Sequence, residues 1–584
     1  MKIFSFDYET FYSKDYSIRD LGNWAYTHHP EFEAYMLAVS CDEGEWVGSP
    51  KDFDWELLRG QLVIAHNAGF EQAVTDRLKE LGIVPADLEF GELVDTADLA
   101  AYLGVPRNLA GAAQALLGVK ADKTMRDKAK GKRWKDMTPD FQERMSAYAA
   151  EDAILERRLW LEHSHKWPTW ERVVSRMTRE MCKGGLPVNV TKIKEGIDLL
   201  EKRLEKTRSE IPYAKSGEAT PLARKAMHAE CAKHGIAPPK SMAKTSVEFS
   251  EWILKHGEEL PWARAIGEYR SVNMLLKKLQ TMQERTRPDG IMPYALKYGG
   301  AHTLRDSGDA GFNPQNLSRK PMFDVDIRGM IEAPEGKTLG VFDLRAIEPC
   351  CLADLSEDEE MVDLLRQGYD VYESHARVAK GYTDPRPLKD VDKDLRQLCK
   401  VEVLGLGYGA GAAKLVTIAK TLAGLDLTDA QAAQIVAEFR TRRFIPKLWN
   451  KLEAAMRRSI GNDFEMQLPS GRVQRYRDVK GYGGLSAAIP RNGIMMRLGF
   501  WGGTLTENLI QGAARDVFMD RYLAVIAEGY NVILRVHDEL VVLLNEEVAE
   551  ADQKVITQIM STPPQWWQTL PVSAEGHLCK QYSK

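Results

Sequence analysis

Apolar and polar positions follow three successive rhythms along the 584 residues. Up to about residue 165, short apolar runs mix with helical periodicity. The runs Ile3–Phe6 and Leu62–Ala65 are each followed by acidic or polar residues, the pattern of strands that end at a sheet edge. The segment PDFQERMSAYAAEDAILERRLWLEHSH repeats apolar residues at helical spacing and closes this α/β unit. From about 190 to 285, stretches such as TKIKEGIDLLEKRLEKTRSE and SVNMLLKKLQTMQERTR predict long helices with polar faces, which suit a projecting arm better than a core. A turn-rich stretch, YGGAHTLRDSGDAGFNPQNLSR, precedes a strand, KTLGVFDL, that carries an acid near its end. Helical sequence then runs from about 357 to 460. A hairpin-like LPSGRVQRYRD, a helix, a strand NVILRV, the tripeptide His537-Asp538-Glu539 and a strand LVVLL complete the order. No internal repeat or low-complexity tract interrupts it.

Composition narrows this only a little. With 44% hydrophobic and 28% charged residues the chain is ordinary globular protein, long enough for three or four compact units of about 150 residues. No stretch approaches the ~20 apolar residues of a membrane span, and MKIFSFDYET lacks a signal-peptide pattern. Seven cysteines without a CxxC pair argue against a disulfide framework or a zinc module, and adjacent Cys350 and Cys351 read as small buried residues. A net charge of −5 does not advertise a nucleic-acid protein, so any basic surface is local. The run RDKAKGKRWKD (126–136) is such a candidate, either a solvated loop or a DNA contact.

Two acids stand at strand edges, Asp343 after LGVF and Asp538 between VILRV and LVVLL. A rigid scaffold fixes such carboxylates, which can hold two hard, oxygen-seeking Mg²⁺ ions about 3.5–4 Å apart for in-line phosphoryl transfer. Either acid alone is weak evidence. Arg396, Lys400, Leu404 and Tyr408 recur every four residues in DLRQLCKVEVLGLGYGAG and share one helical face. Cations then an apolar and an aromatic residue make a poor core stripe, but they suit a nucleoside triphosphate: phosphates on the cations, sugar and base beyond. At the N-terminus, Asp7 and Glu9 point to one side of a strand, HNAGFE supplies Glu71, and YAAED supplies Tyr148 and Asp152 on one helical face. Carboxylates at 7, 9, 71 and 152 could build a second two-metal site, with Tyr148 orienting the attacking water.

The segments FDLRAIEPCCLADLSED, RQLCKVEVLGLGYG and RVHDELVV resemble the three polymerase motifs of family A (DNA polymerase I-like) DNA polymerases, in the right order. HTLRDSG, NPQNLSR and QGAARD are similar to DNA-contacting elements of that family in its bacteriophage style. The acids around residues 7–152 resemble the motifs of DEDDy-type 3′→5′ exonucleases. The resemblance implies a multidomain α/β fold: a ribonuclease H-like exonuclease domain over 1–165, then a right-hand polymerase domain over 166–584. Its thumb would span about 190–285, its palm about 286–356 and 500–584, and its fingers about 357–499.

The resemblance makes Asp343 and Asp538 metal ligands, with Glu539 in support. Arg396 and Lys400 bind the triphosphate, with Lys400 a proton donor to pyrophosphate. Leu404 stands where the family usually has an aromatic residue beside the nucleotide, and Glu348 with Tyr408 gates against ribonucleotides. Arg305, Gln511 and His537 contact the minor-groove side of the primer–template end, where readout is sequence-tolerant. Asp7, Glu9, Glu71 and Asp152 ligate the exonuclease metals, and Tyr148 serves catalysis there. Glu71 departs from the usual Asp, and a misplaced ligand can cost on the order of 100-fold in rate, so a weak or inactive exonuclease is the alternative expectation. Arg345, foreign to the family pattern, serves either the triphosphate or a neighbouring acid.

The expected activity is template-directed DNA synthesis from dNTPs with proofreading, replicative and phage-encoded, in the host cytoplasm. Each active site would take two Mg²⁺, with Mn²⁺ able to substitute. Expected partners are primer–template DNA, dNTPs and replisome proteins such as helicase–primase and single-strand binding protein; the chain is expected to be a monomer without a membrane role and without a 5′-nuclease domain. A single-subunit RNA polymerase is disfavoured by Glu348 and the proofreading motifs, and a decayed DNA-binding accessory protein by the intact Asp343, Asp538, Arg396 and Lys400.

Overall fold

The computed structural model describes residues 2–121, 124–217, 219–242, 246–442 and 444–583. The N-terminal unit is built on a five-stranded sheet of β1 (Ile3–Thr10), β2 (Ala34–Cys41), β3 (Gly44–Gly48), β4 (Leu62–Ala65) and β5 (Glu92–Asp95), in the order β3-β2-β1-β4-β5. β1 is antiparallel to β2 and parallel to β4, and β4 is parallel to β5. All four residues of β4 are buried, which explains its unbroken apolar sequence. Among the helices packed around this sheet are α1 (Ala68–Glu80), α2 (Thr124–Ala129) and α3 (Pro139–His163). α3 starts where Thr138 accepts the Phe141 N–H and a proline occupies the first turn, a strong start signal.

α4 (Thr169–Gly184) leads into an arm of two long, mutually packed helices, α5 (Val190–Ser209) and α6 (Pro261–Arg285). At its tip, the short helices Pro212–Lys215, Arg224–Lys233 and Val247–His256 surround a separate core that includes Ile211, Tyr213, Met227, Phe249, Trp252 and Trp262. The polar helical pattern foretold the arm, but not this second core.

The strand ending near Asp343 is β6 (Lys337–Leu344). After it come α7 (Ile347–Leu355), α8 (Val371–Lys380) and α9 (Lys393–Leu406). A four-stranded antiparallel sheet follows: β7 (Phe464–Gln467), β8 (Val473–Lys480), β9 (Leu485–Arg491) and β10 (Ile494–Phe500). The hairpin-like sequence accounts for β7 and β8; β9 and β10 extend it further than expected. This sheet touches the N-terminal unit: Arg477 donates to the Leu103 carbonyl at 3.2 Å and Asn108 to the Gly493 carbonyl at 2.6 Å.

Next, α10 (Gly502–Ala527) runs to β11 (Asn531–Val536) and β12 (Glu539–Asn545), and β13 (Ala574–Cys579) comes near the end. β6 lies inside the sheet β11-β12-β6-β13, antiparallel to both neighbours. Its core is shared with α4, α5, α6 and α10.

Buried ions tie the units together. Arg515 of α10 pairs with Glu171 of α4, which also accepts the Tyr298 hydroxyl at 2.7 Å. Arg472 pairs with Asp516 at 2.9 Å, and Arg535 with Asp306 at 2.6 Å. These groups are at most 5% exposed, so each charge depends on its partner.

Candidate active sites

The C-terminal sheet delivers its acids by register. Asp343 lies directly across from Glu539, and the Leu344 N–H donates to the Asp538 carbonyl at 3.1 Å. Two non-glycine residues flank these acids in the left-handed region, Ala346 at φ 46° and His537 at φ 58°. Such residues cost on the order of 1 kcal/mol or more and cluster where geometry is constrained for function. Glu539, 2% exposed, accepts the Tyr582 hydroxyl. Burial and the Glu539 charge hold the Tyr582 phenol protonated. Burial also keeps the His537 imidazole below its usual range, helped by Arg305 and Arg319.

α9 carries Arg396 and Lys400. Arg396 is held by Asp370 at 3.6 Å and lies over the Tyr372 ring at 5.1 Å. Lys400 is half-buried, and Leu404 is 40% exposed, available to a ligand. Tyr408 falls just past the helix end, in the turn that leads to Gly409. Gly409 has φ 80°, and a side chain there would strike the Trp501 ring. The Tyr408 hydroxyl donates to Glu348 at 3.0 Å, and Arg305 pairs with the other oxygen of that carboxylate. Glu348 therefore sits between an aromatic residue of α9's end and a cation from the 298–319 stretch. Burial, then the Glu348 charge, pushes the Tyr408 phenol well above its usual range and keeps it a donor. Gln511, on α10, donates to Glu507 at 3.2 Å. Arg345 pairs with Glu575 at 2.8 Å, so of its two expected uses the structure contains the neighbouring acid.

In the N-terminal unit, one ligand oxygen from each of Asp7, Glu9 and Asp152 lies within 4.8 Å of the others. β1 supplies two of these and α3 the third. An all-oxygen set of this kind fits a divalent cation such as Mg²⁺. Tyr148, one turn before Asp152, shares a hydrogen bond with it, and burial and the Asp152 charge keep its phenol protonated. Glu71 is not a member of that three-acid group. It is 2% exposed, and its Oε2 accepts the Tyr8 N–H at 3.1 Å. Burial and then the Asp7 charge push its carboxyl well above the usual range. A cleft of about 500 Å³ runs between the two regions, lined among others by Asn67, Arg107, Lys297, His302 and Arg491.

Comparison with known proteins finds similarity in the middle of the chain. Residues 191–463 match the sequence model of DNA polymerase family A. That segment, just under half of the chain, is what this protein shares with DNA polymerase family A. The matched segment holds Asp343 and α9; Asp538 lies beyond it but is joined to Asp343 by the sheet. The chain is 25% identical to the DNA polymerase of Bacillus phage SP02, with all of both chains covered. It is also 25% identical to DNA polymerase I of Aquifex aeolicus, over 70% of this chain and 66% of that one. With DNA polymerase I of Pseudomonas aeruginosa it shares 27% over 52% of this chain and 31% of that one. The POL domain of Pol1 from M. smegmatis, solved in complex with DNA primer-template and dNTP, has the same fold: TM-score 0.68 at 17% identity, covering 99% of this chain and 95% of that one.

Sequence reasoning passed over one residue behind α9. Glu402, two positions past Lys400 and on the other face, is 1% exposed; it pairs with His375 at 2.7 Å and Lys380 at 2.7 Å, both on α8. Burial opposes its charge, but His375 and Lys380 outweigh that and hold the carboxyl below its usual range. A lone acid inside an apolar helical run was the available signal.

Proposed function

We propose that the chain synthesises DNA on a primer–template, adding dNTPs to the primer 3′-OH, and that its N-terminal unit excises mispaired 3′ ends. The polymerase half rests most on one arrangement: Asp343 lies opposite Glu539 with the Asp538 carbonyl beside it, and Glu348, five residues on, accepts the hydroxyl of Tyr408 at the end of the helix that carries Arg396 and Lys400. Asp343 and Asp538 would hold two Mg²⁺ ions, whose chemistry is to activate the 3′-oxygen and stabilise the departing pyrophosphate. Arg396 exchanges Asp370 for the triphosphate, and Lys400 gives a proton to the leaving group. Glu348, pinned by Arg305 and Tyr408, presents a carboxylate where a ribose 2′-OH would have to fit. Arg305, Gln511 and His537 hold the primer end by sequence-tolerant contacts. The M. smegmatis relative, solved with primer-template and dNTP, supports the same ligands here.

The 1–165 unit is read as a ribonuclease H-like 3′→5′ exonuclease. Its mixed sheet and the Asp7–Glu9–Asp152 group support this. Tyr148 positions the attacking water. The reading takes the thumb at about 190–285, the palm at about 286–356 and 500–584, and the fingers at about 357–499; the sheet β7–β10, inside those fingers, packs towards α10 and the N-terminal unit. The phage relative supports a replicative, phage-encoded role in the host cytoplasm, with replisome proteins as partners. No helix among the described residues is long and apolar enough to cross a membrane.

A second reading, a polymerase with feeble proofreading, is favoured by Glu71, which stands outside the acidic group and is tied to Tyr8. One panel separates the readings: extension and degradation of a 5′-labelled primer with Mg²⁺, by wild type, Asp343→Ala and Asp7→Ala. Asp343→Ala should only degrade, and Asp7→Ala should only extend. Extension without measurable degradation by wild type selects the second reading. Degradation without extension sinks the polymerase assignment.

A further inference from the structure

We propose that the basic strap between Thr124 and Asp136 grips the backbone phosphates of the DNA strand that enters the Asp7–Glu9–Asp152 site. The proposal rests on the exonuclease reading of that site. The strap is anchored, not loose. α2 buries Met125 and Ala129 in the apolar cluster that also contains Tyr148. Their i, i+4 spacing turns both inward and leaves Arg126 and Lys128 outward. Two hydrogen bonds tie the backbone to the strand that carries the acids: the Tyr12 hydroxyl donates to the Arg126 carbonyl at 2.5 Å, and the Gly131 N–H to the Tyr12 carbonyl at 2.8 Å. Trp134 stacks on Tyr35, which precedes Met36, the cross-strand partner of Glu9. Tyr12 itself is three residues past Glu9. The strap is thus fixed at the rim of the acidic group.

Its charges are mostly uncommitted. Arg126, Lys128, Lys130, Lys132, Arg133 and Lys135 fall within ten residues. Arg133 pairs with Glu31 and Glu33, and Lys132 lies 4.4 Å from the Phe141 ring centroid. No ion pair among the described residues involves Arg126, Lys128, Lys130 or Lys135, and all four are exposed. Holding like charges together on a fixed backbone is unfavourable unless a polyanion relieves it. The neighbouring site supplies the reason for one. Its carboxylates repel a DNA strand, and bound divalent ions neutralise only the phosphate being cut. The flanking phosphates need cations from the protein, and the strap, tied by its backbone to Tyr12 three residues past Glu9, presents such cations. Such contacts carry no sequence information, as an enzyme that removes any 3′ nucleotide requires.

The test is degradation of a short oligothymidylate across a salt series by wild type and the triple variant R126Q/K128Q/K130Q. Three phosphate contacts on a single strand contribute about 2 to the slope of log affinity against log salt. The variant should therefore show a KM raised about tenfold or more at low salt, a slope shallower by about 2, and unchanged kcat and primer extension. An unchanged KM and slope overturn the proposal. Equilibrium binding of the same strand by fluorescence anisotropy, with Ca²⁺ in place of Mg²⁺, reads the strap without cleavage. If wild type degrades nothing, the exonuclease reading fails separately. Weaker strand binding by the variant would still support the strap, and an equal Kd would overturn it.

Discussion

His302 packs edge-on against Tyr476, with ring centroids 4.8 Å apart, and neither ring nitrogen has a hydrogen-bond partner among the described residues. Burial, reinforced by Arg472, lowers its pKa to about 4. An unfolded histidine titrates near 6.5, so the unfolded chain binds this proton first as pH falls, and stability drains away between about 6.5 and 4. Between pH 7 and pH 5 this group should cost the protein about 2 kcal/mol. His302→Phe keeps the ring and removes the proton, so denaturant unfolding at those two pH values should show that much less acid sensitivity. An equal loss in the variant would place the acid sensitivity elsewhere. Single residues also explain why the site was only partly legible. Asp95 ends a strand just as the catalytic candidates do, yet its carboxylate is occupied by the Asn67, Ala68 and Ala97 N–H groups. Strand-end acids become informative only in groups. Asp7, Glu9 and Asp152 were such a group because strand and helix periods each put their members on one side. Glu71 shared the sequence logic but turns to a backbone N–H, a choice set by tertiary packing.

At the scale of elements, α8 holds α9 at two places. Asp370 and Tyr372 engage Arg396 near one end, and His375 with Lys380 engages Glu402 nearer the other. The rotation of α9, and so the aim of Arg396 and Lys400, depends on that buried carboxylate. Glu402→Gln keeps the shape and weakens both ion pairs. It should raise KM for dNTP by ~10-fold, since small misplacements of binding groups carry large penalties, while primer–template Kd stays unchanged. Equal loss of DNA binding would show general damage to the region instead. The sheet β7–β10 shows the limits of pattern reading at this scale. β10 is partly exposed along most of its length, and glycines break the approach to β9, so no clean alternation announced them. The signal that could have found the hairpin was Asn492-Gly493, whose two positive φ angles suit a two-residue turn.

Across the whole molecule, Glu171, Arg515 and Tyr298 join α4, α10 and the 298–319 stretch in one buried cluster. Arg515→Met would leave the Glu171 charge buried without its cation and should cost about 3–5 kcal/mol. A lower Tm, with earlier proteolysis between the N-terminal unit and the rest, is the expected result. An unchanged Tm would mean the pair is not the tie it looks to be. Long-range ties of this kind were invisible in sequence, because nothing local marks which arginine meets which acid. The C-terminal sheet has a consequence for synthesis. β6 is made first, yet both strands that flank it, β12 and β13, come about 200 residues later. At typical elongation rates β6 would wait on the order of 10–40 s with both edges unpaired, and exposed edges invite wrong pairing. Asp343 therefore cannot acquire its neighbour Glu539 until residue 539 has left the ribosome, and the nascent chain must keep that strand covered or shielded until then.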